Sequence, residues 1–214
     1  MQLSLRGVIP VPLREKVTAN KSGIWNTPVS INKGEHIFIQ APSGTGKTTL
    51  VHILYGLRTD YEGQVSWGNT ALKATDKETL AALRTKSISV IFQDMRLFPE
   101  LTAWENIDIK RRLTNTVSEQ QAHEYLARLG LKDKENSIGK TLSYGEQQRV
   151  AIVRSLLQPF DWLLMDEPFS HLDHANTEKA RALIAEVIKQ HGAGMLLADL
   201  DENNFFEYTQ TFAL

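Results

Sequence analysis

Residues 41–49 read Ala41-Pro42-Ser43-Gly44-Thr45-Gly46-Lys47-Thr48-Thr49, between an apolar run, Ile37-Phe38-Ile39-Gln40, and a helix-forming stretch that opens at Thr48-Thr49-Leu50. Gly44 and Gly46 allow the backbone to turn back on itself, so that successive N–H groups point into one concavity. At the positive end of the helix that follows, such a nest suits a chain of phosphates. Lys47 adds a point charge for the β/γ-phosphates, and the Thr48 hydroxyl is placed to ligand Mg2+. An ordinary Gly-rich turn is the alternative, and the Gly-Lys-Thr run flanked directly by strand and helix argues against it. The position that usually carries the first glycine of such a loop holds Ala41, which is tolerable only at negative φ.

Outward from this loop, about the first sixty residues alternate short β-like runs with turn residues. Residues 64–67 read as a strand punctuated by Gly63 and Gly68. Residues 75–86 have helical spacing, and 87–92 form a continuous apolar run suited to a buried parallel strand. The middle is helical. Ser118-Glu119-Gln120-Gln121 reads as a capping box, ahead of Ala122, Tyr125, Leu126 and Leu129 at helical spacing, with Gly130 as the stop. Residues 161–166 return to a buried strand. Ala180, Leu183, Ile184, Val187 and Ile188 form the stripe of a helix ending before Gly192, and 195–198 read as a further strand. Strand, helix and strand again, with a helical block inserted, indicates an α/β nucleotide-binding core.

The bulk numbers bound the function. A chain of 214 residues can bury one substantial core. With 42% hydrophobic and 23% charged residues it has the composition of a soluble globular protein. A net charge of −1 argues against a broad nucleic-acid footprint, so no nucleic-acid partner is expected. The absence of cysteine excludes disulfides and thiolate metal sites, and fits the cytoplasm. The first residues, Met1-Gln2-Leu3-Ser4-Leu5-Arg6, do not read as a secretory signal. The apolar runs are far short of the roughly twenty residues that span a bilayer, so a membrane role would be exercised from the water side.

Three further elements narrow the chemistry. In Trp162-Leu163-Leu164-Met165-Asp166-Glu167-Pro168, an apolar strand delivers two carboxylates to its C-terminal edge, where ligands sit in open α/β sheets. Asp166 would hold Mg2+, directly or through water, and Glu167 would polarise an attacking water. In Leu142-Ser143-Tyr144-Gly145-Glu146-Gln147-Gln148-Arg149, Ser143 and Glu146 form a capping box that starts a helix carrying Val150, Val153 and Leu157 inward. Such a capped start is itself an anion site. Gln93, directly after residues 87–92, is a neutral amide able to touch both Mg2+ and the attacking water.

Together these residues resemble the ATP-binding cassette (ABC) ATPase family over nearly the whole chain. The stretch from Phe92 to Ile107 is most similar to cassettes of the lipoprotein-releasing and macrolide-exporter type. The resemblance implies a P-loop NTPase (RecA-like) core with an antiparallel β subdomain and an inserted α-helical subdomain. It implies one domain over residues 1–214, with a core lobe at about 1–94 and 158–214 and a helical lobe at about 95–157. It casts residues 41–48 as the Walker A loop, Gln93 as the Q-loop glutamine and Leu142–Glu146 as the signature. Residues 163–166 become the Walker B strand, Glu167 the catalytic glutamate and Ser170-His171-Leu172-Asp173 the D-loop. ATP would bind along residues 41–49, with Thr48, Gln93 and Asp166 toward Mg2+ and Lys47, Gln93 and Glu167 in catalysis. Two such domains pack head to tail in this family, as homo- or heterodimers, so Ser143 and Gly145 would serve the other domain's γ-phosphate. An integral membrane permease subunit is the implied partner, with its cytoplasmic helix in a groove beside the Gln93 loop. The implied location is cytoplasmic, peripheral at the inner face of the cell membrane.

Four positions depart from the family pattern. Ala41 replaces a glycine, and Tyr144 stands where the signature has glycine. The switch histidine has no equivalent in Met195-Leu196-Leu197-Ala198-Asp199-Leu200-Asp201. Its position falls on Leu200, or on Asp199 with a slip of one residue, and neither leucine nor an ionised aspartate donates a hydrogen bond. The aromatic that stacks on adenine is replaced by Pro12 or Leu13, which offers apolar contact without a π face. Glu146 for glutamine is a milder change. Binding is expected to survive these departures, with slow turnover. The rivals are an ATP-binding toggle with weak or no hydrolysis that regulates a partner, and a soluble non-transport ABC ATPase.

Overall fold

The computed structural model describes residues 1–19, 21–200 and 204–214. Its first half runs β1 (Leu3–Pro10), a 3-10 turn at Val11–Leu13, α1 (Arg14–Ala19), β2 (Val29–Ile31), β3 (His36–Gln40), α2 (Lys47–Leu54), β4 (Tyr61–Trp67) and β5 (Thr70–Ala71). Then come α3 (Lys77–Lys86), β6 (Ile88–Ile91), α4 (Ala103–Thr114), α5 (Glu119–Arg128), α6 (Tyr144–Leu156), β7 (Trp162–Asp166), α7 (His174–His191), β8 (Gly194–Asp199) and β9 (Gln210–Ala213).

Five strands pair in parallel in the order β6-β7-β8-β3-β9, and four pair in an antiparallel sheet ordered β2-β1-β4-β5. The central parallel strands are apolar on both sides because both faces are covered, and successive residues divide between two cores. Leu163 and Met165 of β7, with Met195 and Leu197 of β8, join α4 to α7 in one core. Trp162, Leu164, Leu196 and Ala198 face the other, with α2 and the antiparallel sheet. On β3, Phe38 takes the first side and Ile37 and Ile39 the second.

The inserted helices are anchored to the sheet by packing. Ala103 and Ile107 of α4, Ala122, Tyr125 and Leu126 of α5, and Val150 and Val153 of α6 are buried in the same core as Ile91 and Met165. The stripe expected from Ala122 to Leu129 and that from Ala180 to Ile188 are both buried. The α7 helix ends at Gly192 in a left-handed cap.

Two local expectations need correction. Gly63 does not bound a strand; it lies inside β4 with φ 76°. There β1 and β4 slip register between Arg6 and Ile9, and a Cβ on Gly63 would lie 2.1 Å from the Gly7 carbonyl oxygen. The bulge therefore requires glycine. The Ser118 cap accepts from the Gln121 N–H, but the Gln121 side chain donates to Tyr125 Oη (2.9 Å). The capping box is one-sided, with the Gln121 side chain turned toward a buried tyrosine one turn on.

Candidate functional site

The turn expected to bind phosphate links β3 to α2, whose first residue is Lys47. Gly46, the N-cap, has φ 109°, and a Cβ there would fall 2.6 Å from a Leu13 methyl and 3.3 Å from the Trp25 ring. Only glycine meets both demands. Ala41 is fully buried outside the positive-φ region, as its side chain requires, and its N–H donates to the Asp199 carbonyl (3.0 Å). Pro42, Ser43 and Gly44 are exposed at the tip, and Thr48 and Thr49 are half-buried on the first turn of α2.

The turn is braced from outside and from within. Trp25 Nε1 donates to the Thr45 carbonyl (3.2 Å), Thr45 Oγ1 to the Pro42 carbonyl (2.8 Å), and Lys16 Nζ to the Gly44 carbonyl (3.3 Å).

β7 lies two strands from β3 in the sheet and brings its carboxylates to the same edge. Lys47 Nζ donates to the Ala41 carbonyl (2.8 Å) and lies 3.3 Å from Glu167 Oε1. Glu167 accepts from Gln93 Nε2 at its other oxygen (3.2 Å), and Thr48 Oγ1 donates to Gln93 Oε1 (3.5 Å). The Glu167 backbone has φ 46°. A non-glycine residue held there costs about 1–3 kcal/mol and is maintained by its surroundings, here by the Ala198 carbonyl accepting from the Glu167 N–H (2.9 Å).

Asp166 is completely buried, and neither carboxylate oxygen has a hydrogen-bond partner of good geometry. Burial pushes its carboxyl up to about 6, with the Thr48 hydroxyl opposing, the Glu167 charge adding to the rise and Lys47 opposing it. An orphaned buried carboxylate beside a threonine hydroxyl and a glutamine amide is an oxygen donor set that fits Mg2+. Thr48, Gln93 and Asp166 line one cavity of about 170 Å3, together with His52 and Asp94. A larger cavity of about 570 Å3, lined by His36, Arg181, Met195 and Phe206, lies near the other end of the parallel strands. Ligands of open α/β sheets sit at the carboxyl edge, so size alone does not mark the nucleotide site.

Ser143 and Gly145 are not brought to this cluster: among the described residues they make no hydrogen bond to residues 41–49. They open α6 instead, where the capping box forms in both directions (Glu146 N–H to Ser143 Oγ, 3.3 Å; Ser143 N–H to Glu146 Oε2, 2.8 Å). The Ser143 N–H, with the Ser143 hydroxyl and Lys134 assisting, holds the Glu146 carboxyl below its ordinary range. A Cβ on Gly145 would meet the His171 carbonyl at 2.9 Å, so α6 and the 170–173 loop approach too closely for a larger residue. Tyr144 is 69% exposed, its ring 5.5 Å from that of His171. The substitution for glycine therefore projects outward.

Asp199 ends β8 opposite Gln40, so both Asp199 and Leu200 lie beside the start of the phosphate loop. The Leu200 N–H donates to Asp199 Oδ1 (2.7 Å), and the Leu200 side chain is 40% exposed. Asp201 lies outside the described residues. Pro12 is exposed, whereas Leu13 packs on Gly46.

Sequence reasoning missed two ties. Trp25 stands twenty residues from the carbonyl it holds, with no local pattern to mark it. Gln148, fully buried on α6, donates to the Glu167 carbonyl (3.2 Å) and accepts from the His171 N–H (3.0 Å), joining α6 to the sheet edge that carries Glu167. A glutamine on the inward face of an apolar helix was the signal available.

Comparison with known proteins places the chain in one family. Residues 25–170 match the ABC transporter family. The lipoprotein-releasing system ATP-binding protein LolD of Bacteroides thetaiotaomicron is 36% identical over 177 residues, covering 81% of each chain. The glucose import ATP-binding protein GlcV of Saccharolobus solfataricus is 33% identical over 209 residues, 96% of this chain and 58% of that one. The dimeric structure of MJ0796, a bacterial ABC transporter cassette, superposes with a TM-score of 0.77 at 28% identity, over 93% of this chain and 88% of that one. The same cassette in a post-hydrolysis state bound to ADP and Pi gives the same score. By that match over most of its length and by these relatives, the chain belongs to the ABC transporter family.

Proposed function

We propose that this chain is the ATP-binding subunit of a transporter, which binds Mg-ATP, closes head to tail on a second cassette, hydrolyses the nucleotide and so drives a separate integral membrane permease. The observation that carries the reading is the meeting of Lys47, Thr48, Gln93, Asp166 and Glu167 at one sheet edge. ATP would lie along residues 41–49, with Lys47 exchanging its Glu167 contact for phosphate oxygens. Thr48, Gln93 and Asp166 would hold Mg2+, which supplies positive charge to the β- and γ-phosphate oxygens when bound. Glu167, released from Lys47, would accept a proton from the attacking water oriented by Gln93. Ser143 and Gly145 of one copy would close on the γ-phosphate held by the other, a reading supported by the dimeric cassette that this chain resembles.

Support for a permease partner comes from the surface beside the Gln93 loop. A groove of about 260 Å3 lies between β6 and α4, with Lys110 and Arg154 among its lining residues. On its walls Phe98, Ile109 and Leu113 are 52%, 43% and 67% exposed. An apolar cleft of this kind suits a short cytoplasmic helix. No helix among the described residues is long and apolar enough to cross a membrane. The chain would therefore sit at the inner face of the membrane through its partner, with residues 95–157 as the lobe that meets it.

The want of a hydrogen-bond donor in the side chains of Leu200 and Asp199 favours a second reading, in which ATP binding toggles the partner and hydrolysis is slow. A steady-state ATPase assay separates the two. Calorimetry of Lys47→Ala tests the site itself. One charge-assisted contact is worth about 1.5–3 kcal/mol, so Mg-ATP affinity should fall by about tenfold or more. Unchanged affinity would mean that residues 41–49 are not the nucleotide site.

A further inference from the structure

The loop that presents Gln93 is a tight turn with two consecutive left-handed residues, Met95 (φ 57°) and Arg96 (φ 50°), neither of them glycine. Such a turn persists only when its surroundings hold it. Arg154 donates to the Met95 carbonyl (2.7 Å) and the Arg96 carbonyl (2.8 Å). The Arg96 guanidinium lies 4.0 Å over the Phe92 ring and pairs with Asp94 at 3.1 Å.

A further contact comes from α2. Arg96 Nη2 is 3.1 Å from His52 Nε2. The His52 ring also meets Phe92 edge-on at 5.7 Å. A guanidinium has donors only, so this bond requires His52 to be neutral, with its proton on Nδ1. Burial, helped by the charges of Arg96 and Arg58 and opposed by Asp94, holds the imidazole below its ordinary range.

The placement is what matters. His52 lies four residues after Thr48, one turn along the same face of α2. Thr48 touches Gln93, and His52 touches Arg96 three residues on, so one helix face grips the turn at two points. His52 also lines the cavity of Thr48, Gln93 and Asp166.

We propose that His52 is a positioning residue for Gln93: by accepting from Arg96 it fixes the left-handed turn against α2 and holds the Gln93 amide toward the ion position between Thr48 and Asp166. This rests on the reading of Gln93, Thr48 and Asp166 as the Mg2+ donors. In this role His52 acts through Arg96 and not by contact with nucleotide or reacting atoms. Its loss should weaken metal-assisted binding and leave metal-free binding alone.

The test is calorimetric titration of the purified chain with a non-hydrolysable ATP analogue, in Mg2+ and separately in EDTA, which requires no turnover. His52→Ala should weaken binding about threefold to tenfold in Mg2+, the range of one lost hydrogen bond, with no change in EDTA. His52→Gln, whose side-chain carbonyl can accept from Arg96, should recover affinity to within about twofold of the parent. Arg96→Ala should match His52→Ala, and the double variant should be no worse than either. Equal losses with and without Mg2+, no loss in Mg2+, failure of His52→Gln to recover binding, or additive losses would each overturn the proposal. A parent chain that binds the analogue under neither condition would overturn the nucleotide-site reading beneath it instead.

Discussion

The buried carboxyl of Asp166 sets up a measurable conflict between stability and the metal binding proposed for it. In the folded chain it is held up at about 6 against an ordinary 3.8, mainly because burial penalises the charged form. That gap corresponds to about 3 kcal/mol of folding free energy at neutral pH, as an order of magnitude. The sign follows from proton counting. Between about pH 4 and pH 6 the folded chain holds a proton that the unfolded chain has released, so stability falls as pH rises through that window. The contribution of the protonated form is complete below the unfolded value and lost above the folded one. Asp166→Asn keeps the shape and cannot ionise. In EDTA at about pH 7.5 it should therefore be more stable than the parent by up to about 3 kcal/mol, a rise of about 6–12 °C in melting temperature for a chain of this size. At about pH 4 the advantage should shrink to about 0.5 kcal/mol. The assay is thermal or urea unfolding of both proteins at the two pH values without divalent metal. Adding Mg2+ and ATP should narrow or reverse the gap, because a carboxylate holds the ion more tightly than a neutral amide and tighter binding stabilises the folded chain more. An asparagine variant no more stable at neutral pH, or equally advantaged at both pH values, would refute the claim that Asp166 is ionised there at a cost.

Other outcomes follow from the same geometry. Glu167→Gln removes the proton acceptor and the charge facing Lys47, and should sediment as a dimer with Mg-ATP and a monomer without it; a monomer in both would show that Tyr144 obstructs closure or that the partner is another cassette. Loss of one preorganised donor to a developing charge costs about 10²–10³ in rate, so basal hydrolysis should be slow with near-normal binding. Turnover should rise in Leu200→His or, if the register slips by one, in Asp199→His; fast parental turnover that falls in both would refute the assignment. Trp25→Phe should cost about 0.5–1.5 kcal/mol in chemical denaturation through the lost bond to Thr45, and should weaken nucleotide affinity in calorimetry; no change in either would mean that the indole does not brace the turn.

What was legible in the amino-acid order is what neighbouring residues decide among themselves. Gly46 before Lys47, the apolar run before Asp166 and the Ser143–Glu146 cap each depend on a few consecutive residues, since backbone conformation and alternation along a strand are short-range properties. The strand order β6-β7-β8-β3-β9 is of a different kind, because it depends on which apolar faces find each other in three dimensions. That order brings Lys47 within 3.3 Å of a carboxylate 120 residues away, and it leaves both oxygens of Asp166 buried without a hydrogen-bond partner of good geometry. The same applies to smaller features. Gly63 reads as the end of a strand in the sequence and is a bulge once paired with β1, and the Gln121 side chain reads as half of a cap but turns to a buried tyrosine in the fold. The Trp25 brace and the grip of His52 on Arg96 join residues 20 and 44 positions apart. No local preference encodes such bonds. They exist because close packing of the helices and sheets leaves each polar group few partners within reach, and an unmet one is costly.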